Sequence, residues 1–332
     1  MAKVNVLVLT GYGTNSHAES AHAALLAGAD RADIVHFSDI VEGEARLEDY
    51  HMLVFPGGFL DGDDLGAAQA AAQRWLHLAD KAGVPLLDHL SRFLDDGKLM
   101  LGICNGFQLM VKLGLLPALD GKRFERQVSL THNASARYED RWVRLAVNPL
   151  SPCVFTRGLN HLMMPVRHGE GRLVVPDDAT LDRLEAGNLV TLSYADPQSG
   201  RPTMEYPANP NGSPRAVAGL TDPSGHVLGL MPHPEAFNHA TNAPRWSRGE
   251  YELPGTALFE NAVRYLRGNV AGGEEEMMGL SGRKHEASGR TIFDAGRGAC
   301  GNAQWLRLFF CLWQVICIYF AVATYAAFSS KI

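Results

Sequence analysis

Leu101-Gly102-Ile103-Cys104-Asn105-Gly106-Phe107-Gln108 decides how the rest of the chain is read. An apolar run, Leu99 to Ile103, leads into the cysteine, and a helical pattern from Phe107 to Lys112, ended by Gly114, leads away from it. A strand that turns sharply into a helix presents its turn residue at the tip. The flanking glycines, Gly102 and Gly106, let the backbone take that turn and let a substrate approach closely. The start of the helix stabilises negative charge on the sulfur. A lone cysteine is more often an inert core residue. Cys153, in Ser151-Pro152-Cys153-Val154-Phe155, lacks these supports and reads as packing.

Upstream, Lys3 to Thr10 is a continuous run rich in valine and leucine, stopped by Gly11 and Gly13. It predicts a strand buried on both faces, as parallel sheets require. Ala18 to Ala29 reads as a helix, Ala32 to Phe37 as a strand, and Met52 to Phe55 as a strand stopped by Pro56-Gly57-Gly58. Gly66 to Ala82 and Leu86 to Leu94 read as helices before the Leu99 to Ile103 strand. This alternation predicts an α/β domain with a mainly parallel sheet flanked by helices. From Val128 to Gly229 the pattern is strand-rich, with Trp142 to Val147, Gly171 to Val175 and Leu189 to Tyr194 as candidates, and Thr256 to Leu266 closes with an amphipathic helix.

Two further stretches bear on the cysteine. Met231-Pro232-His233-Pro234-Glu235 follows the strand-like run Val227 to Met231, and its prolines hold the histidine in an extended segment. A histidine there can take the thiol proton and return it to a leaving amine, with a carboxylate two residues on to fix its tautomer. A proline-rich surface loop is the bland alternative, so the pair has value mainly alongside Cys104. Pro56-Gly57-Gly58-Phe59 can expose a backbone N–H to a developing oxyanion, with the N–H of Asn105 as second donor. Gly11-Tyr12-Gly13-Thr14-Asn15-Ser16 invites a nucleotide-binding reading but lacks the third glycine of the dinucleotide fingerprint and the lysine of a phosphate loop.

The formal charge of −6 gives no reason to expect nucleic acid or an anionic membrane surface. Cys104, Cys153, Cys300, Cys311 and Cys317 form no metal-ligand spacing and no even disulfide framework, which suits a reducing cytoplasm. The N-terminus has no signal-peptide pattern. The expected organisation is a folded domain over 1–268, a flexible linker over 269–304 rich in Gly, Glu, Arg and Ser, and a hydrophobic segment over 305–328. Leu308 to Phe328 carries no charge and has roughly the ~20 residues that span a bilayer core. It reads either as an anchor on the cytoplasmic face of a membrane or as a sequence artefact appended to a complete enzyme. A buried core helix fits less well behind such a linker.

GICNGFQ at 102–108, with PGGF at 56–59 and GLMPHPE at 229–235, resembles the class I, triad-type glutamine amidotransferases. The match is closer to the glutaminase subunit or domain of phosphoribosylformylglycinamidine synthase. Leu130 to Ser135, Arg141-Trp142-Val143, His168 to Arg172 and Asn209 to Ser213 carry it. It covers about Val4 to Arg267; the alanine-rich Gly66 to Leu78 departs from the pattern. The resemblance implies a flavodoxin-like α/β fold with the C-terminal tail outside it. It implies that Cys104 attacks the side-chain amide of glutamine while His233, oriented by Glu235, shuttles protons. Gly57, Gly58, Phe59, Asn105, Gln108, Asn133 and Ser135 are the oxyanion and glutamine-binding residues it implies. Ammonia would pass to an ATP-dependent synthetase that converts formylglycinamide ribonucleotide to the amidine in purine biosynthesis. This chain has no room or phosphate loop for that activity. The implied partners are a separate synthetase subunit, where ATP and Mg are expected, and a small accessory subunit. No cofactor or metal is expected in this chain. Loops 168–172 and 209–213 are read equally as interface or substrate loops and as turns the fold needs. Two alternatives stay open: another cysteine hydrolase of the same α/β superfamily, although Asn105 stands where those relatives place a histidine, and a non-catalytic regulatory subunit.

Overall fold

Runs of β-branched residues and leucine, cut by glycine and proline, become the central strands. The computed structural model describes residues 3–250 and 252–268. β1 (Asn5–Thr10) buries Val6 to Leu9 completely, as a strand covered on both faces must. α1 (His17–Leu26), β2 (Arg31–His36) and the short α2 (Phe37–Val41), capped by the His36 side chain, follow it. Next come β3 (Met52–Phe55), α3 (Gln69–His77), α4 (Leu86–Asp95), β4 (Leu99–Ile103) and α5 (Asn105–Lys112). The second half runs β5 (Ser129–His132), β6 (Glu139–Val147), β7 (His161–His168), β8 (Glu170–Val174), α6 (Asp178–Ala186), β9 (Val190–Ala195), β10 (Val217–Thr221) and β11 (Val227–Leu230), and ends in α7 (Ala257–Leu266).

One nine-stranded sheet takes the order β2-β1-β3-β4-β11-β10-β9-β6-β7. β2, β1, β3, β4 and β11 are parallel, so the mainly parallel α/β architecture expected from the βα alternation is present. β10, β9, β6 and β7 extend the sheet with antiparallel pairing, and β5 pairs with β8 as a separate two-stranded sheet. In open parallel sheets, sites form beyond the carboxyl ends of the strands. Here the ends of β1, β3, β4 and β11 lead into Gly11–Ser16, Pro56–Phe59, Cys104 and Met231–Glu235 respectively. Four neighbouring strands therefore deliver the four sequence stretches to one edge.

Two expectations needed correction. The helix expected over Gly66 to Ala82 covers only Gln69–His77. Gly66 and Ala68 take positive φ of 98° and 59°, which blocks an earlier start, and the Asp80 carboxylate captures the N–H groups of Ala82 and Val84 in a turn. β7 was not among the expected strands because Pro165 interrupts its pattern. It is an edge strand, where a missing N–H is tolerated. The expected linker 269–304 and hydrophobic segment 305–328 lie outside the described residues. Among the described residues, no helix is long and apolar enough to cross a membrane.

Candidate active site

Cys104 stands at the turn between β4 and α5 with φ 51° and ψ −103°. That conformation costs an L-residue about 1–3 kcal/mol, so the surroundings must enforce it. They do so from both sides. Cys104 N–H donates to Leu230 O of β11 at 2.8 Å. Behind it, α5 lies so close to β3 that a Cβ on Gly106 would sit 1.9 Å from Phe55 O. Only glycine permits that approach. The side chain of Asn105 is buried and braces the turn, accepting from Leu60 N–H at 3.0 Å and donating to Gln108 Oε1 at 3.1 Å.

The Pro56–Phe59 turn is held by the loop after β1. Asn15 N–H donates to Gly57 O at 3.1 Å, Phe59 N–H to Gly13 O at 2.8 Å, and Gly57 N–H to Ser16 Oγ at 3.0 Å. Thr14 and Gly58 thereby form an isolated antiparallel bridge of the non-hydrogen-bonded kind, which turns the N–H of Gly58 away from the Thr14 segment. The glycine-rich loop after β1 thus supports an oxyanion-type turn. Gly57 also packs against His233: a Cβ there would meet the ring Cε1 at 2.8 Å.

His233 is 6% exposed, and its Nδ1 lies 2.6 Å from Glu235 Oε1. Its main-chain N–H donates to Pro165 O at 2.8 Å, which ties the segment to β7. Burial would drive the proton off this ring. The Glu235 carboxylate and the neighbouring Cys104 sulfur outweigh burial and raise the imidazole to about 10. The sulfur acts by proximity, because hydrogen-bond geometry to the ring is not met. Sγ is turned toward Arg167 O, 3.7 Å away, and His233 Nε2 is buried without a partner. A sulfur nucleophile, an imidazolium held by a buried carboxylate, and N–H donors at two turns can together form and break an acyl–sulfur bond.

These groups open into a cleft of about 310 Å³. Of the expected residues, Gly57, Gly58, Phe59, Cys104, Gln108, His233 and Glu235 line it, while Asn105 braces the turn from behind. Asn133 and Ser135 do not line it. Asn133 Nδ2 donates to Arg137 O and His168 O, and Ser135 Oγ donates to Glu139 Oε1 at 2.6 Å. With Nδ2 so engaged, Asn133 Oδ1 accepts from Nδ1–H of His168 at 3.0 Å. Burial and the His233 charge push His168 down to about 3, so its ring is neutral.

The cleft contains residues that were not among the expected site residues: Asp63, Arg167, His168 and Glu170. The 168–172 motif was the available signal for two of them. The 209–213 loop proves to be internal. Asn211 and Ser213 are fully buried, and Asn211 Nδ2 donates to Gly171 O at 2.8 Å and Tyr194 OH at 3.0 Å. This loop therefore sets the position of the cleft wall. Among the described residues, no group of three or more His, Cys, Asp or Glu is placed to hold a metal ion.

Comparison with known proteins places this geometry. The family described as CobB/CobQ-like glutamine amidotransferase domain matches residues 3–266. Phosphoribosylformylglycinamidine synthase subunit PurQ of Methanococcus maripaludis is 40% identical over 273 residues, covering 79% of this chain and 97% of the relative. The subunit of the same name from Dehalococcoides mccartyi is 40% identical over 271 residues, covering 80% and 99%. A chain in the solved structure of PurLQS from Thermotoga maritima is 27% identical with a TM-score of 0.57, covering 80% of this chain and 100% of that one. The chain belongs to the CobB/CobQ-like glutamine amidotransferase domain family, in the branch of the PurQ subunits of phosphoribosylformylglycinamidine synthase.

Proposed function

We propose that this chain hydrolyses glutamine through a thioester on Cys104 and delivers the ammonia to a synthetase that makes formylglycinamidine ribonucleotide from formylglycinamide ribonucleotide. The observation that carries the reading is the buried His233–Glu235 pair, at 2.6 Å, set against a cysteine in a strained strand-to-helix turn. Sγ attacks the amide carbon as the thiolate, its proton already held by His233 as the imidazolium. The N–H groups of Gly58 and Asn105 receive the oxyanion. The C–N bond breaks as the imidazolium protonates the leaving ammonia. Water, deprotonated by His233, then cleaves the thioester to release glutamate and restore the pair of sulfur and imidazolium. Glu235 keeps the ring oriented and stabilises its charged form.

By likeness to the PurLQS structure, the chain works with a separate synthetase subunit and a small accessory subunit. ATP and Mg act in the synthetase. The cytoplasm is the compartment that fits purine biosynthesis. Sγ faces Arg167 O instead of the base, so the isolated chain turns over slowly and docking or substrate re-aims the thiol.

Reconstitution with the two partner subunits tests this. Cys104→Ala should abolish glutamine-dependent formation of the amidine and leave formation driven by ammonium salts intact. A Cys104→Ala complex that still uses glutamine would overturn the reading.

A further inference from the structure

The triad accounts for one end of the cleft, and the other end is built from groups the thioester chemistry does not use. Gln108 lies one turn of α5 beyond Cys104, and its Nε2 donates to Glu170 O at 2.5 Å. The Glu170 carboxylate lies in the same cleft, where Oε2 accepts Ala67 N–H at 3.2 Å and Oε1 is 3.5 Å from His132 Nδ1. Asp63 also lines the cleft, and its Oδ1 is buried without a partner. Burial and the Glu170 charge raise the Asp63 carboxyl above its usual range. Lys112, a further turn along α5, forms no ion pair with either carboxylate among the described residues, and its own burial disfavours its charge.

Two carboxylates thus line this end of the cleft, one of them with an oxygen that lacks a hydrogen-bond donor, and Lys112, the cation that acts on both through space, is itself disfavoured by burial. A third acceptor adds to the deficit. His168 lines the cleft, is 3% exposed, and has Nε2 buried without a partner. Its Nδ1–H is committed to Asn133, so Nε2 is a lone pair.

The spacing suits an amino acid. Four bonds separate the amide carbon of glutamine from its α-nitrogen, about 5 Å when extended. Four residues of helix, the offset from Cys104 to Gln108, rise about 6 Å. The wall is also rigid: Gln108 and Ala67 hold Glu170, while Asn211 Nδ2 and Ser213 Oγ hold the next carbonyl, Gly171 O, at 2.8 and 3.4 Å.

We propose that Glu170 and Asp63 receive the α-ammonium group of glutamine, so that the cleft selects the free amino acid over amides that lack an α-amine. The proposal rests on the glutaminase reading and adds to it the residues that choose the substrate.

The test compares ammonia release from L-glutamine and from 5-amino-5-oxopentanoic acid, which is glutamine without its α-amine, using the full chain. Glu170→Gln keeps the size of the side chain and an acceptor for Ala67 N–H while removing the charge. The ratio of kcat/KM for glutamine over the des-amino amide should fall about 10- to 100-fold, the range of one charge-assisted hydrogen bond. Asp63→Asn should lower the same ratio. A ratio does not depend on the fraction of enzyme that folds, so loss of protein cannot mimic the result. An unchanged ratio in both variants would overturn the proposal. Wild-type protein that releases ammonia from neither compound, with or without its partners, would overturn the glutaminase reading and this inference with it.

Discussion

Gly106→Ala probes how the nucleophile turn is held. The added Cβ would lie 1.9 Å from Phe55 O, 2.6 Å from Phe55 C and 2.8 Å from Phe55 Cβ. All three atoms belong to β3, in the middle of the parallel half of the sheet, and its strand partners on both sides leave it no room to retreat. The helix must move instead. An ordinary carbon contact of about 3.5 Å requires α5 to lift by about 1.5 Å. Overpacking of this kind costs about 1–3 kcal/mol, which for a domain of this size lowers Tm by roughly 2–12 °C. The effect on turnover should be larger than the effect on stability. Asn105 and Gln108 ride on α5, and Cys104 caps it, so donor and thiol shift together against His233, which is fixed to β7 and β11. A misplacement of about 1 Å at reacting groups costs on the order of 100-fold in rate. Differential scanning calorimetry and the rate of ammonia release at saturating glutamine would measure the two effects side by side. A variant that loses Tm yet keeps its kcat would refute the claim that the close approach of α5 to β3 sets the geometry of the site.

Other consequences can be measured directly. Glu235→Gln should lower kcat about 10²- to 10⁴-fold, because the imidazolium loses its counter-charge. The same pair predicts a pH dependence of stability. His233 is raised to about 10 in the folded chain from an ordinary value near 6.5. Its stabilising contribution is therefore full below pH 6.5 and is lost as pH rises through 10. The Tm advantage of wild type over Glu235→Gln should shrink across that window; an advantage that grows with pH would contradict the assigned sign. Asn211→Ala leaves Ser213 N–H without its side-chain partner and Gly171 O with only the 3.4 Å contact from Ser213 Oγ, and should cost about 2–3 kcal/mol in denaturant unfolding. Tyr194→Phe removes only the hydroxyl that accepts from Asn211 and should cost about 1 kcal/mol. Equal costs would show that Gly171 O is not the contact that matters.

What the sequence revealed and what it hid follow from range. Cys104, Pro56–Phe59 and His233–Glu235 were legible because each follows an apolar run that becomes a strand, and parallel neighbours place strand ends on one edge. The glycine-rich loop after β1 was read against phosphate-binding patterns. Its partner is Gly57 and Phe59, more than forty residues away, and no local pattern encodes that pairing. Asn209, Asn211 and Ser213 look like a surface turn by composition, yet they are at most 1% exposed. They can be buried because their amides and hydroxyl satisfy backbone groups that would otherwise be stranded. Asn133 and Ser135 were expected beside glutamine and instead brace His168 and Glu139. Glu170 was read only as part of the 168–172 motif, and Asp63 was not read as a site residue, because acidic residues in loops are usually solvated. Only the fold shows that both line the cleft.

The central claim is that Cys104 carries the glutamyl group. Acid-quenched intact-mass spectrometry of the full chain during turnover of L-glutamine, followed by peptide mapping, tests it most directly. The account predicts a γ-glutamyl adduct on the peptide containing Cys104, absent from Cys104→Ala and accumulating when deacylation is slow. An adduct on Cys153, or ammonia release that persists in Cys104→Ala, would contradict it.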